Sequence, residues 1–421
     1  MIFDKTTINS EGFKNFLKLF SSSLVVQGVA FVLAPIYARL FTPEQFGLLG
    51  LFLAIYSVLS VLSTAKYEQT IMLPREDQDA RSLFWLVQIL SVSFAILLIT
   101  VMVVWSNSFV SLLGDDMVPW LWFIPVLLVL HGLYQGALYY SNRKKNFGTM
   151  ASATVVQHTA LNSSRLAAGF ANLPLNGLVA SHIFSQIVAT AFILFRTAKR
   201  ILVNDSSTAM ANIKKQAAIY SNYPKFTMAL NFSNSLSNAL PFLMLPKGFS
   251  IEIAGVFAFG YTLVFRPVTI ISQSLHQVLS QNIIEDFNNN RPIYQKLIKF
   301  VKKSFFIAIV PVFVLVIFTP TLFGFIFPPE YQLAANFLQV MVPWLLLVFL
   351  ASPLSFIPEL FFRQKKAMVI DIIYLILRFG ALSIGIFHHD ILLALGLFSG
   401  VGFIMVGYNL LWYLSLAKRY S

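Results

Sequence analysis

The residues of this chain best suited to chemistry are three arginines, Arg165, Arg266 and Arg378, each set well inside a long apolar stretch. A lone arginine at the centre of a bilayer costs about 2.5–3.5 kcal/mol on insertion scales, so three at depth cost on the order of 8–10 kcal/mol together. They must therefore face a protein interior or water. Arg165 ends a stripe that begins with His158 and Asn162, with Gln157 and Ser164 beside it. Hydrogen-bonding groups ending in a cation suit a wet cavity holding sugar hydroxyls and a phosphate, and the same stripe also reads as polar glue between helices. Arg266 stands before Pro267, with Thr269, Gln273 and His276 continuing along one face. A proline inside that helix is expected to kink it and free a carbonyl for a ligand. Arg378 shares a helix face with Asp371 and Tyr374, at i, i+3 and i+7. That spacing reads either as an ion-pair stripe or as an anion contact.

Other polar groups at depth extend the list. Asn231, Asn234 and Asn238 repeat at the same spacing, with Ser233, Ser235 and Ser237 between them. Amide and hydroxyl donors with aromatic neighbours are what carbohydrate recognition uses, because sugars offer dense hydroxyls and apolar ring faces. Glu68, Glu359 and Asp371 are the acidic candidates for ion coupling. Glu68 and Glu359 read equally as partners of Lys66, Arg363 or lipid headgroups. Asp115-Asp116 and His388-His389-Asp390 lack a third ligand and read as solvated loops. With six His in no ligand spacing and no Cys, neither a metal nor any other cofactor is expected.

The elements that carry these groups follow from composition. Residues are 57% hydrophobic and only 11% charged, too apolar for a soluble core of this length. The chain belongs in a bilayer, and the formal charge of +13 falls in short clusters between apolar runs rather than in a nucleic-acid patch. Spans are expected at 16–40, 44–66, 82–105, 118–140, 149–170, 176–197, 226–247, 251–277, 300–320, 333–357, 367–387 and 391–416. The fifth and seventh are the least apolar. Residues 1–15 are too polar for the core of a cleaved signal peptide, so the N-terminus is expected to be retained.

Placing the N-terminus inside gathers Lys5, Lys14, Lys18, Arg75, Arg81, Arg143 to Lys145, the central linker with Lys199, Arg200, Lys214 and Lys215, Arg291 to Lys303, Arg363 to Lys366, Lys418 and Arg419 on one side. Only Arg39 and Lys247 remain on the other. Both termini are thus expected in the cytoplasm. Three local matches indicate a repeat. Thr42-Pro-Glu-Gln-Phe-Gly47 resembles Ser250-Ile-Glu-Ile-Ala-Gly255 at a shift of 208 (250 − 42). Met117-Val-Pro-Trp-Leu121 recurs as Met341-Val-Pro-Trp-Leu345 at 224 (341 − 117), and the basic turns at Arg143 and Arg363 match at 220 (363 − 143). The expected fold is all α: about twelve transmembrane helices in two pseudo-repeated six-helix lobes around a central cavity, residues 1–197 and 226–421, joined by a cytoplasmic linker at 198–225. Thr42, Pro43 and Gln45 form a capping-box start.

The segment Ala34-Pro-Ile-Tyr-Ala-Arg-Leu-Phe-Thr-Pro-Glu-Gln-Phe-Gly47, with Lys66-Tyr-Glu-Gln-Thr-Ile-Met-Leu-Pro74 and Asp77 to Ala80, resembles the start of Wzx-type O-antigen and polysaccharide flippases. These belong to the multidrug/oligosaccharidyl-lipid/polysaccharide exporter superfamily. The resemblance implies a bacterial inner-membrane protein that moves undecaprenyl-pyrophosphate-linked sugar repeat units by alternating access. It implies membrane lipids as neighbours, and a polysaccharide polymerase and chain-length regulator as partners, with no nucleic acid. It matches the family's cationic cavity by type at Arg165, Arg266 and Arg378. Likeness to the superfamily's drug/cation antiporters is weaker, because residues 16–40 hold no Asp or Glu. A polymerase would need catalytic groups on a large outer loop, and the outer loops are short.

Overall fold

A computed structural model describes residues 28–106, 111, 113–171, 176–203 and 209–419. The start of the expected first span, with Lys5, Lys14 and Lys18, lies outside the described residues, as do residues 204–208 of the expected linker. Among the described residues the chain is all α and has no strand. In order the helices are α1 (Gly28–Leu40), α2 (Pro43–Thr64), α3 (Asp77–Val104), α4 (Val118–Arg143), α5 (Phe147–Phe170), α6 (Gly177–Ile201), α7 (Met210–Ile219), α8 (Met228–Gly248), α9 (Ile251–Asn288), α10 (Tyr294–Ile326), α11 (Leu333–Ala351), α12 (Gln364–Phe387) and α13 (Ile391–Arg419). Short helices precede and follow α11.

Nine stretches among the described residues are long and apolar enough to cross a membrane. Three expected spans are missing from that set: the first, of which only α1 is described, and α5 and α8, at 24 and 21 residues long enough to cross but too polar. Helices α5 and α8 carry the His158–Arg165 stripe and the three asparagines. Side-chain caps mark several starts. Gln45 Oε1 accepts from the Thr42 N–H (3.1 Å), one half of the expected capping box, while Ser250 Oγ accepts from the Ile253 N–H (3.1 Å). Asn176 and Asp390 accept at the starts of α6 and α13. Helix α9 continues through Pro267 as one 38-residue element.

The chain divides into two compact units, one made of Phe31–Gly47 and Met244–Ser421, the other chiefly of Leu48–Leu243. These bounds differ from the sequence halves. Residues 31–47 join the later helices, and most of α8 joins the earlier ones. In the unit of later helices, α11 packs against α9, α10 and α13, and α12 lies along α13. In the other, α4 packs on α3 and α6, α5 lies along α6, and α7 covers part of α3.

Within the first of these units the starts of α2 and α9 cross with no room between them. Gly47 and Gly255 stand five residues after their caps, Thr42 and Ser250 (47 − 42 and 255 − 250). A Cβ on Gly47 would lie 2.1 Å from the Ile251 carbonyl oxygen, and one on Gly255 would lie 1.7 Å from the Pro43 carbonyl oxygen. Each glycine thus meets the first helical residue of the other motif. Phe46, Phe259 and Tyr331 pack beside the crossing, with centroids 5.2 Å (Phe46–Phe259) and 4.6 Å (Phe259–Tyr331) apart. The Tyr331 hydroxyl donates to the Phe41 carbonyl (2.6 Å), and Arg39 Nη2 donates to the Ile326 carbonyl (3.0 Å).

The structure corrects the register of the repeat. Helices α2 and α9 start 208 residues apart (251 − 43), as the cap motifs indicated. For two later pairs the shift is 217: α3 and α10 start 217 apart (294 − 77), and α5 and α12 match at both ends (364 − 147 and 387 − 170). The two basic turns close alike. Lys145 and Phe362 take left-handed φ of 53° and 55°. Their N–H groups bond Asn142 O and Glu359 O, and the next N–H groups bond Ser141 O and Pro358 O, the Schellman pattern. That pairs Lys145 with Phe362, so the sequence match at 220 is three residues out. The Met-Val-Pro-Trp-Leu match at 224 is seven out: Pro119 opens α4, whereas Pro343 lies inside α11.

Candidate functional site

In the unit of later helices, α9 presents one exposed polar face: Thr262, Arg266, Gln273 and Gln277 are all exposed. An exposed polar face on a membrane-crossing helix is tolerated where it meets water or a polar ligand rather than lipid. Ile271, half a turn round from Thr262, is exposed on the opposite side. The Thr269 hydroxyl turns back onto the Arg266 carbonyl (2.8 Å), and His276 Nδ1 shares a hydrogen bond with Ser355 Oγ (3.3 Å). The cation of Arg266 and the Gln273 amide therefore stand on a surface open to a ligand.

Arg378 behaves differently. The sequence reading placed it either on a cavity face or in an ion-pair stripe; it is 0% exposed, and Asp371 makes no ion pair with it. Its guanidinium carbon lies 4.1 Å from the Phe398 ring centroid, 4.2 Å from Tyr374 and 4.5 Å from Trp344. Three aromatic faces around one desolvated cation are worth about 2 kcal/mol or more. They offset part of the cost of an arginine at this depth. Trp344 is held in turn by Phe265 of α9 (5.8 Å, stacked) and by Gly402, whose Cβ would lie 2.7 Å from the indole.

In the other unit, α5 carries the expected stripe: Asn162 is buried, and His158 and Arg165 are half-buried. All three interact within the protein. Gln157 Nε2 donates to Gln186 Oε1 (2.9 Å), tying α5 to α6. Polar glue between helices thus accounts for part of the stripe. On α8, Asn231 donates to the Thr227 carbonyl (2.8 Å) and Asn238 donates to Asn234 Oδ1 (3.1 Å), which leaves Asn234 the exposed member. Among the acids, Glu68 is buried and pairs with Lys66 (3.4 Å), in line with the pairing reading. Glu359 is exposed and Asp371 half-buried.

One cluster was not singled out from the sequence. In the unit of earlier helices the Tyr56 hydroxyl and His131 Nδ1 share a hydrogen bond (3.2 Å), and Tyr56 meets the His131 and His182 rings edge-on, each at 5.9 Å. Gln88 Nε2 donates nearby to the Gly132 carbonyl (3.2 Å). The rule that drew attention to the arginines, ionisable groups inside spans, applies equally to these histidines.

The chain is similar to a multidrug resistance MATE family transporter of the MOP superfamily solved in an inward-facing conformation, with a TM-score of 0.74 and 12% identity over 95% of this chain and 99% of that one. It is also similar to a MOP superfamily transporter from Pyrococcus furiosus Vc1, described as having a binding pocket of reverse polarity that suggests a different function, with a TM-score of 0.64 and 13% identity over 99% and 98%. These likenesses carry the fold. Comparison with curated proteins found no match. Residues 36–334 match the family described as polysaccharide biosynthesis protein, and the chain belongs to that family.

Proposed function

We propose that the protein is a flippase that carries undecaprenyl-pyrophosphate-linked O-antigen or related polysaccharide repeat units across the bacterial inner membrane by alternating access of two lobes. Family membership supports a role in polysaccharide assembly. The observation that carries the reading is the exposed polar face of α9, where the Arg266 cation stands among Thr262, Gln273 and Gln277. A guanidinium offers paired donors to a pyrophosphate oxygen, and the neighbouring amides offer donors and acceptors to sugar hydroxyls. In the other unit, Arg165 and Asn234 offer groups of the same kinds. Arg378 acts by holding α11, α12 and α13 together rather than by touching substrate. The polyprenyl tail stays in lipid while the polar head crosses. Transport, not bond-making, is the activity, and both termini face the cytoplasm.

The test is export in a deletion strain complemented with wild type or Arg266→Ala at matched membrane abundance. Expected is loss of surface polysaccharide with repeat units trapped in the inner leaflet, and export reduced about tenfold for the variant, the worth of one charge-assisted hydrogen bond. Normal polymer in the deletion strain sinks the reading. The fold likeness to transporters described as multidrug resistance proteins favours a second reading, a drug or cation antiporter. Altered drug susceptibility with intact surface polymer would select it.

A further inference from the structure

The two basic turns share one backbone geometry and have opposite electrostatics. In the turn after α4 two of the three cations, Arg143 and Lys144, pair internally. Arg143 Nε bonds Asp77 (3.1 Å), its terminal nitrogens donate to the carbonyls of Pro74 and Arg75 (2.8 Å to Arg75), and Lys144 also pairs with Asp77. In the turn before α12 the order is reversed. The left-handed position is Phe362, 87% exposed, and the cations Arg363, Lys365 and Lys366 come after it, all exposed. Among the described residues none of the three makes an ion pair; Glu359, four residues before Arg363, and Asp371, five after Lys366, leave them uncompensated. The Lys366 ammonium rests 4.8 Å from the Trp412 ring centroid and 5.9 Å from Tyr408 on α13. Below it, Val369, Tyr408 and Leu411 are 51%, 46% and 69% exposed.

We infer that Arg363, Lys365 and Lys366 form a binding site for the phosphodiester headgroup of an anionic phospholipid, with Phe362 and the face of Val369, Tyr408 and Leu411 taking its acyl chains. Charge complementarity identifies the occupant. Three uncompensated cations beside an exposed apolar face fit a molecule with an anionic head and an apolar body. A free phosphate would engage the cations but leave Phe362 and the apolar face of Val369, Tyr408 and Leu411 uncontacted. An acidic protein would find no apolar cleft here, only a face of the width lipid tails cover. Trp412 and Tyr408 hold the Lys366 ammonium at one place by cation–π attraction, so that this cation is already positioned when the headgroup arrives. The inference does not depend on what is transported.

The experiment compares the full-length protein with two variants, Arg363→Gln/Lys365→Gln/Lys366→Gln and Arg143→Gln/Lys144→Gln. Each is purified from micelles of equal phosphatidylglycerol and phosphatidylcholine, and the co-purifying lipid is quantified by mass spectrometry. Expected is a fall of about fivefold in phosphatidylglycerol retention per cation removed from the second turn, unchanged phosphatidylcholine, and weaker phosphatidylglycerol retention by the wild type as salt is raised. The Arg143/Lys144 variant should keep its phosphatidylglycerol and instead melt at a lower temperature. Equal losses from both variants would reduce the effect to net charge and overturn the site, as would unchanged retention in the triple variant. Displacement of phosphatidylglycerol by an equimolar polyprenyl pyrophosphate would overturn the choice of occupant. If the triple variant fails to fold, Arg363→Gln and Lys366→Gln alone, each expected to lose about fivefold, decide the matter.

Discussion

A buried arginine can be there for a ligand or for its neighbours, and the neighbours of Arg378 are aromatic rings. Its guanidinium is enclosed by Phe398, Tyr374 and Trp344 from three helices, so a change at any of them is felt as stability. Trp344→Leu should lower the stability of the detergent-solubilised protein by about 2 kcal/mol, read as a drop in melting temperature, and Arg378→Lys should lower it too, because an ammonium cannot stack flat on three rings. Arg266→Ala should leave the melting temperature unchanged, since its side chain is exposed. Tyr56→Phe tests the histidine cluster: loss of the bond to His131 should cost about 1 kcal/mol.

At the scale of elements, the crossing of α2 and α9 is the tightest contact in its unit. Gly47→Leu or Gly255→Leu puts side-chain atoms where the Ile251 and Pro43 carbonyls already stand, and backbone cannot turn aside as a flexible side chain would. Each should destabilise the protein by about 3 kcal/mol, seen in thermal melts, while Gly148→Ala, with open space at its Cβ, should not. The Arg143 turn is a second such element. Because the guanidinium closes the chain at residues 74–77, Arg143→Lys keeps the charge but loses the fan of carbonyl bonds, and should melt lower than wild type.

For the whole molecule the testable quantity is orientation. The chain has no Cys, so single cysteines report topology without background. With the basic clusters inside, Asp115→Cys should react with a membrane-impermeant maleimide on intact cells, and Gln364→Cys and Lys214→Cys only after permeabilisation. The reverse pattern would invert the proposed direction of transport.

Much of the architecture was legible because a bilayer imposes simple rules on sequence. Apolar length marks a crossing helix, and α5 and α8, the least apolar of the expected spans, fold as helices of 24 and 21 residues. The start motifs at Thr42 and Ser250 also held their register, since capping chemistry is local. What local pattern could not decide was partnership. Letter matches put the basic turns three residues out and the Met-Val-Pro-Trp-Leu pair seven out, because helix-internal and helix-opening positions look alike as strings. The same limit applied to the charges. Three arginines at similar depth look equivalent in sequence, yet one is boxed by rings from elements up to 34 residues away (378 − 344) and one stands exposed on a polar face. Sequence alone determined that these cations need something other than lipid around them, because burying charge in hydrocarbon is costly wherever it occurs. Only tertiary packing decided whether that something is a protein aromatic, a neighbouring amide or an open surface, because cation–π and hydrogen-bond contacts depend on distances that the chain order does not contain.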